Sequence, residues 1–151
     1  MTSKLSATVA RGLLGLMFIA GPLATAFHLV PEPVLPPHAA AFMRALADSR
    51  YMLPLLWASE IAAGILVLSE ALTPLGLVLL APVLLNIAAF HLFLAPANAA
   101  PATVACALEL LLAWHYRAAY APLFRNVRVA VIPEEIVHTA RRVQYETERS
   151  F

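Results

Sequence analysis

The chain has 151 residues, of which 62% are hydrophobic and only 13% are charged, and its mean hydropathy is +0.79. Soluble domains carry about 45–50% apolar and about 25% charged residues, so the composition excludes an ordinary soluble protein. The net charge of +1 is too small to indicate a nucleic-acid partner. Composition therefore predicts an integral membrane protein, and because backbone polar groups in lipid must be satisfied within each segment, an all-α one.

Four apolar segments predict four membrane-spanning helices. Each has close to the ~20 residues that cross a hydrocarbon core of ~30 Å. The segments run from about Leu5 to Leu29, Tyr51 to Leu72, Leu75 to Ala95 and Ala102 to Tyr120. The links "SEALTP" and "PANAAP" are short, so the last three segments are antiparallel neighbours in a four-helix transmembrane bundle.

The connection after the first span predicts a short interfacial helix. Its prolines prevent a regular helix up to Pro37, whereas His38 to Arg50 places Phe42 and Leu46 on one side and Arg44 on the other. This pattern is typical of a helix that lies at the membrane surface. A loop helix packed on the bundle is the alternative.

The C-terminal part differs in composition from the rest of the chain. From Arg117 onward the sequence is charged, and Pro133 followed by Glu134 and Glu135 marks a helix start. We expect residues 1–122 to form the transmembrane domain and residues 123–151 to form a cytoplasmic amphipathic tail.

Basic residues predict the orientation of the bundle. One side holds Lys4 and the arginines from Arg117 onward, whereas the other side holds only Arg44 and Arg50. The positive-inside rule therefore places both termini in the cytoplasm.

A second interpretation concerns the first segment. Lys4 and Arg11, the apolar run after them and "ATA" before Phe27 are also typical of a secretory signal with a cleavage site. Cleavage there would leave three helices and remove Arg11.

Five of the polar residues inside the apolar segments are the candidate ligand-binding residues: Arg11, Glu60, Asn86, His91 and Glu109. An acidic residue at the centre of a spanning helix costs roughly 2.5–3.5 kcal/mol on insertion scales, so such residues are usually paired or functional. Counted from the segment starts, Glu60 lies ~13 Å and Arg11 ~9 Å deep. These depths predict an Arg11–Glu60 ion pair across antiparallel helices.

Two interpretations of this polar set remain open. In the first, Arg11, Glu60 and Asn86 form a polar clasp that fixes helix register. The small residues that allow close helix contact are Gly12, Gly15, Ala63 and Gly64. In the second, the same clasp lines a binding cavity.

Helical angles argue against a metal site. His91 follows Asn86 by five residues, about 140° around the helix, so the two side chains point in different directions. Glu109 shares a face with Cys106 and Tyr116 but not with His115. The Glu-x-x-His spacing of di-iron bundles does not occur in the four apolar segments, so no metal is predicted. A site of Glu60, His91 and Glu109 is the remaining arrangement for a metal.

The polar motifs resemble those of the DoxX-like family of small four-helix bacterial membrane proteins. The similar motifs are R-x-x-x-G from Arg11, E-x-x-x-G from Glu60, and a proline-started third helix that ends with Asn86 and His91; the resemblance covers about Val9 to Tyr120. Relatives are similar to membrane subunits of thiosulfate:quinone oxidoreductase and other redox assemblies. The cysteine pairs of the redox-relay cousins are missing, because Cys106 is the single cysteine.

The resemblance implies an accessory subunit of a membrane redox system in the bacterial inner membrane, with other subunits of the complex as partners. It favours a quinone or a similar lipid-soluble ligand as the cofactor. Arg11 and Glu60 would form the midplane pair, Asn86 and His91 would contact the head group, and the apolar walls would be Trp57, Phe90 and Phe93.

The alternative function is a non-enzymatic scaffold or a small-solute transporter that acts through its cytoplasmic tail. Membrane lipid is a partner in either case. The small-residue spacing in "GLLG" also allows a homodimer.

Overall fold

The computed structural model of the protein describes residues 2–31 and 33–124, and every regular element within them is helical, as predicted. The α-helices of this part are α1 (Thr2–Ala26), α2 (Pro37–Asp48), α3 (Met52–Leu68), α4 (Thr73–Phe93), α5 (Ala100–His115) and α6 (Arg117–Tyr120), with 3₁₀ turns at Pro96–Asn98 and Ala121–Phe124. Met1–Tyr120 is one compact unit and Ala121–Phe151 is another. The predicted tail helix at Pro133 lies outside the described residues.

Two of the described helices are long and apolar enough to cross a membrane, namely α1 from Lys4 onward and α4. Helices α2 and α3 pass the same test together but are bent by 93°, which gives up to three spans. Helices α3 and α5 have 17 and 16 residues. Their lengths of about 26 and 24 Å are less than the ~30 Å thickness of a hydrocarbon core. The apolar segments predicted from the sequence are longer than these helices, because they include residues of the turns that follow them.

The four longer helices pack in a ring. α1 contacts α3 and α5, and α4 contacts the same two helices. The buried residues at their centre are Ala7, Ala10, Leu14, Phe18, Ala63, Val67, Leu77, Leu80, Leu84, Ala105 and Leu112. Large apolar side chains such as Leu85, Phe93 and Leu110 are exposed on the outside. An apolar exterior of this extent is typical of a surface that faces lipid.

Glycine allows α1 and α3 to approach very closely. A Cβ atom added at Gly64 would lie 2.8 Å from the Gly15 carbonyl oxygen, and one added at Gly15 would lie 2.7 Å from the Leu68 side chain. The predicted small-residue contact is therefore confirmed for this pair. It is wrong for Gly12, because a Cβ atom there would meet nothing within 4 Å.

A second close contact joins α3 to α4. A Cβ atom at Gly76 would lie 2.7 Å from the Val67 backbone nitrogen and 3.0 Å from the Ala63 carbonyl oxygen. Next to it, the buried Thr73 hydroxyl donates to the carbonyl oxygens of Val67 (3.1 Å) and Ser69 (2.8 Å). The Thr73 hydroxyl and Gly76 together fix the geometry of the α3–α4 hairpin. Helix α3 therefore packs closely against both α1 and α4.

The predicted short helix is confirmed as α2 and turns sharply into α3. Arg50 adopts a left-handed conformation (φ 66°) that ends α2. The Ser49 hydroxyl donates to the Leu46 carbonyl oxygen (2.6 Å) and accepts from the Met52 backbone N–H (3.1 Å), which caps the start of α3. α2 also packs on the bundle, since the rings of Phe42 and Phe90 lie 5.8 Å apart.

We expect Gly64→Ala and Gly76→Ala each to lower the free energy of unfolding by about 1–3 kcal/mol, because the added methyl group overlaps backbone atoms of the neighbouring helix. Gly12→Ala is the matched control and should cause no loss, since its methyl group meets open space. Unfolding of the full chain in detergent micelles measures the three values. Equal stability of all three variants would contradict the close-contact interpretation.

Candidate functional site

The structure places the five sequence-predicted residues in three separate regions. Glu60 and Glu109 lie inside the helix ring, and Arg11 lies at one end of it. Asn86 lies on the outside of α4, and His91 lies near the end of that helix. These residues therefore do not converge on one site.

The Gly15–Gly64 contact explains why Arg11 and Glu60 are apart. α1 and α3 run in opposite directions, so Arg11, four residues before Gly15, lies toward the C-terminal end of α3. Glu60, four residues before Gly64, lies on the other side of the contact. At 1.5 Å per residue, this register separates Arg11 from Glu60 by about 12 Å along the bundle.

Arg11 pairs with residues at its own level. Its Nη1 atom lies 3.9 Å from Glu70 Oε2 and donates to the Tyr116 hydroxyl at 3.5 Å. The predicted Arg11–Glu60 pair is therefore wrong, because depth counted from the segment starts did not give the register of the two helices. The Arg11 side chain is 14% exposed and that of Glu70 is 85% exposed. Such a half-solvated pair contributes about 0–1 kcal/mol.

Tyrosines complete the polar contacts at this end of the bundle. Tyr116 packs against the core, as does Cys106, which agrees with the face predicted for both. The Tyr120 hydroxyl donates to the Pro74 carbonyl oxygen at 3.2 Å and so joins α6 to the start of α4. These contacts connect three helices through side chains, which is an architectural role.

Glu60 and Glu109 are buried without a hydrogen bond or an ion pair to a described residue. Each is 8% exposed, and they lie on α3 and α5, each of which packs against both α1 and α4. Neither carboxylate has a hydrogen bond or an ion pair with a residue in 2–31 or 33–124. The Oε2 atom of Glu109 is fully buried and unsatisfied.

This burial is energetically unfavourable and therefore informative. A buried polar group without a hydrogen bond costs about 1–3 kcal/mol, and more when it is charged. Native structures contain few such groups, and an ionisable residue inside a membrane helix is a functional-site hypothesis by default. The pair Glu60 and Glu109 is therefore the candidate functional site.

Asn86 and His91 lie away from this pair. Asn86 is exposed and has no hydrogen bond to a described residue. His91 is half-buried, its Nδ1 atom lies 3.3 Å from the Ala95 carbonyl oxygen, and its ring stands edge-on to Phe90. Of the predicted apolar walls, Phe93 also faces outward. His91 therefore contacts the turn that follows α4, where the Ala95 carbonyl oxygen also accepts from the Asn98 backbone N–H at 3.1 Å.

Metal-ligating side chains are not grouped in the described part of the chain. No set of three or more His, Cys, Asp or Glu residues there is arranged to hold a metal ion. Cys106 is a free, half-buried thiol. What the interior offers chemically is a pair of carboxylates, which act as hydrogen-bond acceptors when ionised.

Comparisons with protein-family models, with curated proteins and with solved structures find no match to this chain. The site is therefore interpreted from its own geometry.

Sequence reasoning did not anticipate the residues that hold the ends of the bundle. Thr73, Gly76 and Tyr120 were not recognised as contacts, and Glu70 was assigned to a link rather than to Arg11. The signal for Glu70 was its place near the end of the second segment, which lies level with the start of the first segment when the two are antiparallel. Thr73 precedes Pro74 at the start of α4, a common place for a side chain that bonds nearby carbonyls.

We expect Glu109→Leu to leave the free energy of unfolding unchanged or to raise it by about 1–3 kcal/mol, because the substitution removes an unsatisfied buried group and breaks no bond. Unfolding of the full chain in detergent micelles measures the change, with Glu70→Leu at an exposed position as the control. A loss above about 1 kcal/mol for Glu109→Leu would show that the carboxylate stabilises the bundle as an architectural element.

Proposed function

We propose that the chain is a DoxX-like protein of the bacterial inner membrane in which α1, α3, α4 and α5 all cross the bilayer. The ring packing and the apolar exterior support this proposal, because a lipid-facing surface surrounds all four helices. The shorter helices α3 and α5 fit if the bilayer thins locally or if residues at their ends snorkel. Trp114 and Arg117 at the end of α5 suit such an interface, and the Arg117 guanidinium lies 4.9 Å from the Trp114 ring centre.

The proposed topology places both termini in the cytoplasm. The Arg11–Tyr116 hydrogen bond brings the first half of α1 to the end of α5, so Lys4 and Arg117 belong to the same end of the bundle. Arg44 and Arg50 lie at the other end, in and after α2. α2, bent by 93° from α3, then lies along the outer membrane surface.

The proposed role of the interior is to bind the polar head group of a lipid-soluble ligand of the quinol type. The observation that carries this proposal is the pair of buried carboxylates without partners, above all Glu109 Oε2. A carboxylate accepts hydrogen bonds, and the two hydroxyl groups of a quinol donate them. The isoprenoid tail would lie between the apolar helices or in the surrounding lipid.

In this proposal the protein is an accessory subunit that holds the ligand, and partner subunits of a membrane redox system carry out electron transfer. Glu60 and Glu109 serve as head-group acceptors on helices that do not neighbour each other in the ring. Arg11, at the cytoplasmic end, keeps the ring closed on that side through Tyr116. Asn86 and His91 have no part in ligand binding.

Native mass spectrometry of the full chain, released gently from its own membranes, tests the ligand. We expect the wild-type protein to retain an adduct of quinol mass, or of the corresponding quinone if the ligand oxidises during release. In Glu60→Gln and Glu109→Gln the adduct should fall about tenfold, because the amide keeps only one acceptor oxygen and the loss of one hydrogen bond, about 1.4 kcal/mol, is a factor of ten. Glu70→Gln, at an 85% exposed carboxylate, is the matched control and should keep the adduct.

A bare protein mass, or a phospholipid adduct unaffected by either substitution, would contradict the proposed ligand in variants that remain folded. Such a result would favour the scaffold or small-solute transporter that the sequence also allows.

A further inference from the structure

The exterior of α4 carries a polar side chain without a partner. α4 is long and apolar enough to cross a membrane. Asn86 lies seven residues before its end at Phe93, about 10 Å inside the helix, and so within a hydrocarbon core of ~30 Å. Its side chain is exposed and makes no hydrogen bond with any described residue. An amide has two donors and an acceptor, and lipid tails offer partners for none of them.

Four exposed hydroxyl residues of the long helices differ from Asn86, because each bonds within its own helix. Four hydroxyl groups donate to carbonyl oxygens of their own helix at 2.7–3.0 Å; they belong to Thr8, Thr25, Ser59 and Thr103. The Asn86 amide does not do so. Its exposure therefore points to a partner outside the chain.

The surface around Asn86 is apolar along one face of α4. Leu79 and Phe93, seven residues before and after it, are exposed, as is Pro82 four residues before it. Ala89, three residues after it, is small and half-buried. A polar group at the centre of an apolar face with a small neighbour is the pattern by which membrane helices associate.

We propose that this face of α4 binds the same face of a second copy of the chain, with the two Asn86 amides hydrogen-bonded to each other. A carboxamide is self-complementary, because its oxygen accepts from the amide group of an identical side chain. In a two-fold dimer about the membrane normal, identical residues meet at identical depth. A second copy therefore supplies the required partner without any further polar residue.

This dimer differs from the one that the "GLLG" spacing suggests. Gly15 is already used within the chain against Gly64, and its partner in that spacing, Gly12, does not form a contact surface by itself. In the part of the chain that the structure describes, the α4 face combines an exposed apolar surface with an amide that has no hydrogen bond. The inference does not depend on the ligand proposed for Glu60 and Glu109.

Cysteine crosslinking of the full chain in its own membranes tests the interface. In a Cys106→Ala background, we expect Leu79→Cys and Phe93→Cys each to form a dimer by oxidation, because these positions repeat along a parallel helix pair. Leu110→Cys on α5, where Leu110 is 70% exposed, is the control and should remain monomeric. Equal crosslinking at all three positions, or none at Leu79 and Phe93, overturns the proposal.

The dimer dissociation constant in lipid vesicles tests Asn86 itself. Asn86→Leu should raise it about tenfold, since membrane hydrogen bonds of this kind contribute about 0.6–2 kcal/mol each and two are lost. Asn86→Gln should restore most of the affinity, and Ser59→Ala should not alter it. Unfolding of the Asn86→Leu monomer should match the wild type, because Asn86 contacts nothing polar within its chain. A monomeric wild type, an unchanged constant in Asn86→Leu, or crosslinking to a different protein overturns the proposal.

Discussion

The close contact between α1 and α3 at Gly15 and Gly64 is the constraint on which the other features depend. Because neither position has room for a side chain, the two backbones meet at one register. Gly76 imposes the same condition on α4, so α3 is held on both sides. This register places Arg11 beside Glu70 and Tyr116 rather than beside Glu60. The interior carboxylates therefore have no arginine partner among the described residues.

Polar side chains consequently have different roles at different depths. At one end of the bundle, Tyr116, Tyr120 and Thr73 join neighbouring helices by hydrogen bonds, which stabilises the packing. In the interior, Glu60 and Glu109 are buried without such bonds, an arrangement that lowers stability and that makes these two residues the candidate functional site. On the exterior, Asn86 is exposed and has no hydrogen bond with a described residue.

Much of the fold could be predicted from the sequence, but little of the site. Apolar segments and proline positions predicted α1, α2 and α4. Gly15 and Gly64 were expected among the small residues at helix contacts, but the sequence did not pair them. The lengths of α3 and α5 were overestimated, because apolar loop residues have the same hydropathy as helix ends. Asn86 was expected to face inward, but it is exposed. A sequence gives the angle between residues on one helix, but it does not give the rotation of that helix within the bundle. The Arg11–Glu60 pair failed for the related reason that register depends on which small residues meet.

The register is tested most directly by crosslinking two designed cysteine pairs with a short bifunctional thiol reagent. In a Cys106→Ala background, Arg11→Cys with Glu70→Cys should crosslink within one chain, because the two native side chains lie 3.9 Å apart. Arg11→Cys with Glu60→Cys should not crosslink, because about 12 Å of helix separates these residues. Crosslinking of the Arg11–Glu60 pair without crosslinking of the Arg11–Glu70 pair would contradict this register. It would show that Arg11 lies beside Glu60 and that the interior carboxylate belongs to an architectural ion pair.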